Sequence, residues 1–302
     1  MTEAVFFGGH DAVLCDLDGV VYAGTEAIDG AVPTLRELGR RGVPVVYVTN
    51  NASRSPESVA DHLRGFGLEV TGDQVFGSAA AGVALLSQEL SGTGSRPTAA
   101  GTASGGRPVP AKVLVVGSDY LRGLVSQAGH EVVRTAAEHP DAVIQGFDPS
   151  VSWTDLAQAS YAVNGGARWI ATNTDLTIPR AEGIAPGNGA LIEAVARATG
   201  TRPLAAGKPE PVLFRLAAQA VGARRPLVVG DRLDTDIIGG NRAGFDTALV
   251  LTGVDTEATA AAAPADHQPT LIIPSLPTLL AEPAVGATAL QPRRSGSHDR
   301  VV

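Results

Sequence analysis

Apolar runs of about four to seven residues alternate along this chain with stretches of helical periodicity, a pattern that predicts a parallel sheet covered by helices. Ala12–Cys15 is a short apolar run that stops at Asp16, Val43–Val48 stops at Thr49-Asn50-Asn51, and Leu227–Gly230 stops at Asp231. Each reads as a buried strand that delivers polar residues at its carboxyl end, the edge where open α/β sheets bind ligands. Helices fit between them. Ser55 caps and Pro56 opens one that stops near Gly67, and Ser152 or Thr154 opens another through about Val163. Pro209 is expected to open a helix through Val221, and Ser275 to cap a short final one.

A second strand–helix series lies between the second and third of those strand ends. Val113–Val116, Ala142–Ile144 and Trp169–Ala171 read as strands, with helices near Tyr120–Ala128, Trp153–Val163 and Ala190–Ala198. About 160 residues separate Thr49 from Lys208, far more than one crossover needs. The series is therefore read as an inserted domain at 83–203, leaving 1–82 and 204–285 as one discontinuous core. Ser91–Pro110 has the Ser, Gly, Thr, Ala and Pro content of a flexible loop, and 286–302 reads as a tail. Ala258–Pro264 is alanine-rich and fits a short helix or a loop.

Composition narrows the function classes. With 302 residues, the chain has room for about two domains. Its net charge of −8 argues against nonspecific binding to nucleic acid or to an anionic membrane surface. No apolar run reaches the roughly 18 residues needed to cross a bilayer, and Met1–His10 lacks the character of a leader. A cytoplasmic protein is expected. Cys15 is the single cysteine, so an intramolecular disulfide and a cysteine-based zinc cage are excluded, and the six histidines are scattered without HxxxH or HExxH spacing. Only Lys112 and Lys208 are lysines, which singles out each of them.

Four stretches carry chemistry. Asp16-Leu17-Asp18-Gly19 follows a buried strand and puts two carboxylates on one side of an extended chain. Their repulsion is relieved by a divalent cation that prefers oxygen ligands, although an Asx-type turn fits the same residues equally well. Thr49-Asn50-Asn51 offers hydroxyl, amide and backbone donors for phosphate oxygens, or serves as a strand-to-loop cap. Gly207-Lys208-Pro209 places a compact positive charge beside an expected helix start. In Gly230-Asp231-Arg232-Leu233-Asp234-Thr235-Asp236, Asp231 closes a strand. There Asp234 or Asp236 could cap the next helix, and Asp236 could orient a metal ligand.

The order of these stretches, DxD, a strand-terminal Thr, Lys and then GDxxxxD, resembles the haloacid dehalogenase (HAD) superfamily at all four motifs. DLDGVVYAG, VTNNASRS, AGKPEP and VGDRLDTDI are similar to the subgroup with a large α/β cap between the second and third motifs. That subgroup holds NagD-like, p-nitrophenyl phosphatase and phosphoglycolate phosphatase enzymes. The segments ATNTD (171–175) and PGNGAL (186–191) resemble most closely its actinobacterial glycerol-3-phosphate phosphatases.

The resemblance implies an α/β fold, a Rossmann-like core with a parallel sheet plus an inserted C2-type cap. It implies a phosphomonoester hydrolase in which Asp16 is the nucleophile and Asp18 the general acid and base. Mg2+ would be held by Asp16, Asp18 (through its carbonyl) and Asp231, with Asp236 in support. Thr49, Asn50, Asn51 and Lys208 would contact the phosphoryl oxygens, and Asn173 is implied as a further substrate contact. The implied substrate is a small phosphorylated metabolite, glycerol 3-phosphate first, then phosphoglycolate, sugar phosphates and nucleoside monophosphates. Capped phosphatases of this type often dimerise, so a homodimer is implied as well. Asp18 counts against a dehalogenase, and the 31 residues from Asp18 to Thr49 are too few for the small cap of a phosphomutase. A noncatalytic phosphate-binding regulator would not need all six motif residues.

Overall fold

The computed structural model describes residues 9–91, 110–180, 182–280 and 288–289. The low-complexity stretch at 92–109 and the tail after Gln291 lie outside the described residues. The chain divides into two compact units, 1–45 with 221–302, and 46–220.

In the first unit, strands Ala12–Cys15, Pro226–Gly230, Asp246–Val250 and Leu271–Ile273 are parallel neighbours in that order. Thr288–Ala289 adds an antiparallel edge to the last of them. Ala12–Cys15 and Pro226–Gly230 are buried at every position, which is why they read as continuous apolar runs rather than alternating ones. Cys15 lies opposite Val229 in the register, so Asp16 and Asp231 emerge together at the carboxyl edge. Beyond Asp18 the chain turns through Gly19 (φ 76°) into a small hairpin, Tyr22–Ala23 with Glu26–Ala27. Helix Ala31–Arg40 follows and buries Ala31, Thr34, Leu35 and Leu38, one stripe at helical spacing.

The second unit, which begins at Val46, holds all but the first residue of strand Val45–Thr49 and its parallel partner Val75–Gly77, whose register sets Thr49 opposite Gly77. It also holds an all-parallel five-stranded sheet in the order Leu204–Ala205, Arg168–Ala171, Ala142–Gln145, Lys112–Val116, Glu131–Val133. Alternate residues of these strands feed two layers. Val116, Val143 and Trp169 pack with Ala159, Val163, Ile192 and Val195 of helices Trp153–Asn164 and Asn188–Thr199. Val113, Val115, Ile144 and Ile170 pack with Val83, Leu86, Leu121 and Val125 of helices Ser78–Ser91 and Asp119–Gln127. The fold class expected from the pattern, α/β with parallel sheets, is the one observed.

Two local expectations need correction, and one element has no counterpart in the sequence reading. The helix expected from Pro209 begins at Val212 and ends at Ala220. Pro211 disfavours the helical conformation at Glu210, so the Pro-Glu-Pro run is spent on turns; the Glu210 N–H donates to Gly207 O instead. Neither Asp234 nor Asp236 caps helix Ile238–Ala243, because a π-helical turn, Leu233–Ile237, runs directly into it. The hairpin Thr177–Arg180 with Gly183–Pro186, inside the second unit, was not expected at all.

Among the described residues, no helix is long and apolar enough to cross a membrane.

Candidate active site

At the carboxyl edge of the first unit's sheet, Asp16, Asp231 and Asp236 bring one carboxylate oxygen each to within 4.8 Å of one another, and all three are buried. Three negative charges at that spacing repel by about 3–4 kcal/mol per pair at an effective dielectric near 20. Such a group is tolerated when it is held rigidly and faces a cation. The holding groups are visible. The Asp16 N–H donates to Val229 O at 2.8 Å, and the Cys15 thiol donates to the Asp16 carbonyl. Asp231 Oδ2 accepts the Val254 N–H at 2.9 Å, while its carbonyl accepts the Asp255 N–H. Asp255 in turn accepts the Leu233 N–H at 2.7 Å, tying the 251–255 loop to the π-helical turn. Asp236 Oδ2 reaches back to the Arg232 N–H at 3.3 Å.

Backbone must come very close to Asp231 for this to work. A Cβ at Gly253 would lie 2.0 Å from Asp231 Oδ2, and one at Gly19 would lie 2.3 Å from the same atom. Only glycine fits at either place. Thr252 Oγ1 donates to Gly19 O at 2.7 Å, joining the two loops. Arg232 grips Asp234 through two hydrogen bonds of 3.0 and 2.8 Å. That pairing raises the guanidinium pKa and holds the Asp234 carboxyl below its ordinary range, so Asp234 is engaged outside the buried trio. Asp18 is exposed and its carboxylate is not one of the trio.

The second unit carries the other expected residues. Thr49 ends its strand with a buried hydroxyl that accepts the Asn51 N–H at 3.1 Å, leaving the hydroxyl proton as a donor. Asn50 holds the backbone of Lys208 from both sides: the Lys208 N–H donates to Oδ1 at 2.8 Å, and Nδ2 donates to Lys208 O at 3.0 Å. Gly207 leaves no room for a side chain there, since a Cβ would sit 2.6 Å from Thr172 O and 2.7 Å from Asn50 Oδ1. Lys208 itself is 4% exposed. The Asn50 carbonyl accepts from Ser78 Oγ at 2.6 Å and from Asn173 Nδ2 at 2.8 Å.

The family resemblance implies Asn50, Asn51 and Asn173 as substrate contacts. Here Asn50 and Asn173 direct their amides at protein groups, and Asn51 Oδ1 builds a turn by accepting from Ser53 and Arg54 N–H. Ser78 and the 252–255 loop are polar participants with no motif of their own, and Asp175 stands out only as part of the family-like ATNTD segment. Each acts through a contact more than 20 residues distant in sequence, which local pattern does not encode. The 187–189 turn packs against the 174–175 backbone, a Cβ at Gly189 falling 2.3 Å from Thr174 O.

Comparison with known proteins follows the same lines. The family described as haloacid dehalogenase-like hydrolase matches residues 13–131, and a second, HAD-hydrolase-like, matches 205–279. The chain is 41% identical over 283 residues to the D-glycerol 3-phosphate phosphatase of Mycobacterium tuberculosis, covering 94% of this chain and 74% of that protein. It is 37% identical over 247 residues to the 5'-nucleotidase YutF of Bacillus subtilis, covering 81% of this chain and 88% of that one. The crystal structure of a glycerol phosphate phosphatase from M. tuberculosis in complex with magnesium superposes with a TM-score of 0.83 at 40% identity. That match covers 94% of this chain and 81% of the other.

Proposed function

The chain belongs to the haloacid dehalogenase-like hydrolases and is a magnesium-dependent phosphatase; from that premise we propose that glycerol 3-phosphate is its preferred substrate and Asp16 its nucleophile. The observation that supports the site is the buried Asp16–Asp231–Asp236 trio beside an Asp18 open to solvent. The trio suits a hard divalent cation, with oxygen ligands only and glycines that let the backbone close around Asp231. Asp16, Asp231 and the carbonyl of Asp18 would hold Mg2+, and Asp236 would support it. Bound there, the ion supplies charge neutralisation to the phosphoryl group.

The remaining chemistry falls to side chains. Asp16 attacks phosphorus, forming an O–P bond as the ester P–O bond breaks, and Asp18 gives its proton to the leaving alkoxide. Water then attacks the aspartyl-phosphate, returning a proton to Asp18, releasing phosphate and restoring the Asp16 carboxylate. Thr49 and Lys208 stabilise the charge that spreads over the phosphoryl oxygens. Asn50 and the 207 turn hold that lysine. The resemblance implies Asn51 and Asn173 as substrate contacts; we read them as supporting residues because their side chains bond to neighbouring protein groups. Residues 83–203 are proposed as the cap that covers the leaving group, with 1–82 and 204–285 as the core. A cytoplasmic homodimer completes the reading, without nucleic-acid or membrane partners.

The test is phosphate release from a panel of phosphomonoesters with and without Mg2+, ranked by kcat/KM. Glycerol 3-phosphate should lead, and EDTA should stop every reaction. A nucleoside monophosphate in first place would favour a second reading, 5'-nucleotidase, for which the similarity to the B. subtilis enzyme speaks. Metal-independent turnover would end both readings.

A further inference from the structure

Asn50 spends both amide hydrogens. One goes to Lys208 O and the other to Asp175 Oδ1, each at 3.0 Å, while Oδ1 accepts the Lys208 N–H at 2.8 Å. A side-chain amide has two faces that differ only in donor and acceptor. Flipped, it would set its NH2 against the Lys208 N–H and its oxygen against the Asp175 carboxylate, with both pairs repulsive. The Lys208 N–H and carbonyl already favour one orientation, and the Asp175 oxygen accepts the amide hydrogen left over, so Asp175 holds the amide in the orientation that grips Lys208. The bond is also charge-assisted and stronger than a neutral one.

Asp175 is itself fixed. Its N–H donates to Asn173 Oδ1, its carbonyl accepts the Gly189 N–H at 2.8 Å, and the next carbonyl, Leu176 O, accepts the Gly187 N–H at 2.8 Å. The glycines at 187 and 189 permit this approach, since a Cβ at 187 would lie 2.2 Å from Asp175 O. Asn188 anchors the same turn by donating to Asn173 O at 2.7 Å. A rigid frame thus runs from helix Asn188–Thr199 through Asp175 and Asn50 to the lysine backbone, all within the second unit.

We propose that Asp175 is a positioning residue for Lys208, acting through the Asn50 amide. The proposal rests on the reading of Lys208 as a phosphoryl ligand. It goes beyond that reading in assigning the lysine's geometry to a residue 33 positions away in the 173–175 loop. Neighbouring Thr174 and Leu176 are exposed, so the loop that sets the lysine also presents side chains to solvent. A change at Asp175 is therefore expected to alter phosphate affinity through Lys208.

The experiment compares Asp175→Ala, Asp175→Asn, Asn50→Ala and the Asn50→Ala/Asp175→Ala double variant in the full chain. Five quantities are read: kcat and KM on p-nitrophenyl phosphate, inhibition by inorganic phosphate, thermal melting, and amide hydrogen exchange at Lys208. Asp175→Ala is expected to lower kcat/KM by about ten- to a hundredfold and to weaken phosphate inhibition alongside it. Exchange at the Lys208 N–H should quicken. Asp175→Asn keeps an acceptor oxygen and should stay within about threefold of wild type in all three. In the Asn50→Ala background, Asp175→Ala should add nothing.

Wild-type Lys208 exchange and phosphate inhibition in Asp175→Ala would overturn the proposal, as would additive effects in the double variant. Asp175→Asn behaving as badly as Asp175→Ala would overturn it too, because the charge rather than the amide's orientation would then matter. Lys208→Ala with undiminished turnover would instead remove the phosphoryl-ligand reading. The exchange measurement judges the positioning independently of that result.

Discussion

The carboxylate trio and the lysine cradle solve opposite electrostatic problems. Asp16, Asp231 and Asp236 are like charges held together by backbone N–H donors and by glycines that leave no alternative position. Lys208 is held at its backbone by neutral amides, with Asn50, Asn173 and Ser78 hydrogen-bonded among themselves. The first arrangement stores repulsion that a cation relieves. The second is satisfied from within and needs no ion to be rigid. Removing charge should therefore relax the trio, whereas removing any polar atom should loosen the cradle.

The largest effect is expected at Asp16. Asp16→Asn deletes the nucleophile and should cost roughly four orders of magnitude or more in turnover. It also removes one of three repelling charges, so its melting temperature in EDTA should equal or exceed that of wild type. A clear drop in melting temperature would break the comparison, because the trio would then be contributing stability as it stands.

Mg2+ titration followed by thermal melting comes next. Ion binding to the folded state alone adds about 2.7 kcal/mol at a hundred times Kd, or several degrees for a chain of this size. Gly253→Ala should erase most of that shift, because its Cβ would displace Asp231 Oδ2 from 2.0 Å away. Gly207→Ala should keep the shift. Its added methyl crowds Thr172 O and Asn50 Oδ1 instead, at a cost of about 1–3 kcal/mol in stability. Its kcat/KM should fall about ten- to a hundredfold as the lysine backbone moves. Equal loss of the magnesium response in both variants would show that the two regions do not act separately.

The difference between the regions also explains what sequence could reveal. The trio was legible because Asp16 and Asp231 each end an apolar run and strand register brings such ends together. Local pattern carries that information. Asp236 could be read only as a helix cap or as support for a metal ligand, since the π-helical turn that drives its side chain toward Asp231 has no signature in composition. The cradle was half legible. Asn50 and Lys208 stood out by position, but their purpose depends on a contact spanning 158 residues. Asp175 was visible only as part of a family-like segment. Its role follows from which way an amide points, and no periodicity encodes that. The late start of helix Val212–Ala220 was legible in principle, since Pro211 restrains the residue before it.

The smallest expected effect sharpens the comparison most. Family resemblance implied Asn173 as a substrate contact, whereas its amide donates to Asn50 O at 2.8 Å and lies 3.4 Å from Ser78 Oγ. If Asn173 belongs to the cradle, Asn173→Ala removes the long 3.3 Å acceptor of the Asp175 N–H and one of two donors to a carbonyl that Ser78 still satisfies at 2.6 Å. The loss should then be about 1 kcal/mol of stability. Activity should fall by only a fewfold, and by the same factor on p-nitrophenyl phosphate and on glycerol 3-phosphate, because a loosened lysine serves any phosphoryl group alike. A residue that touched the leaving group would behave differently: KM would rise for glycerol 3-phosphate alone, since the two substrates share the phosphoryl end and differ only beyond the ester oxygen. The ratio of the two kcat/KM values, measured on one protein preparation, therefore decides which side of the phosphate Asn173 serves. Unlike the absolute rates, that ratio is untouched by a small change in folded fraction.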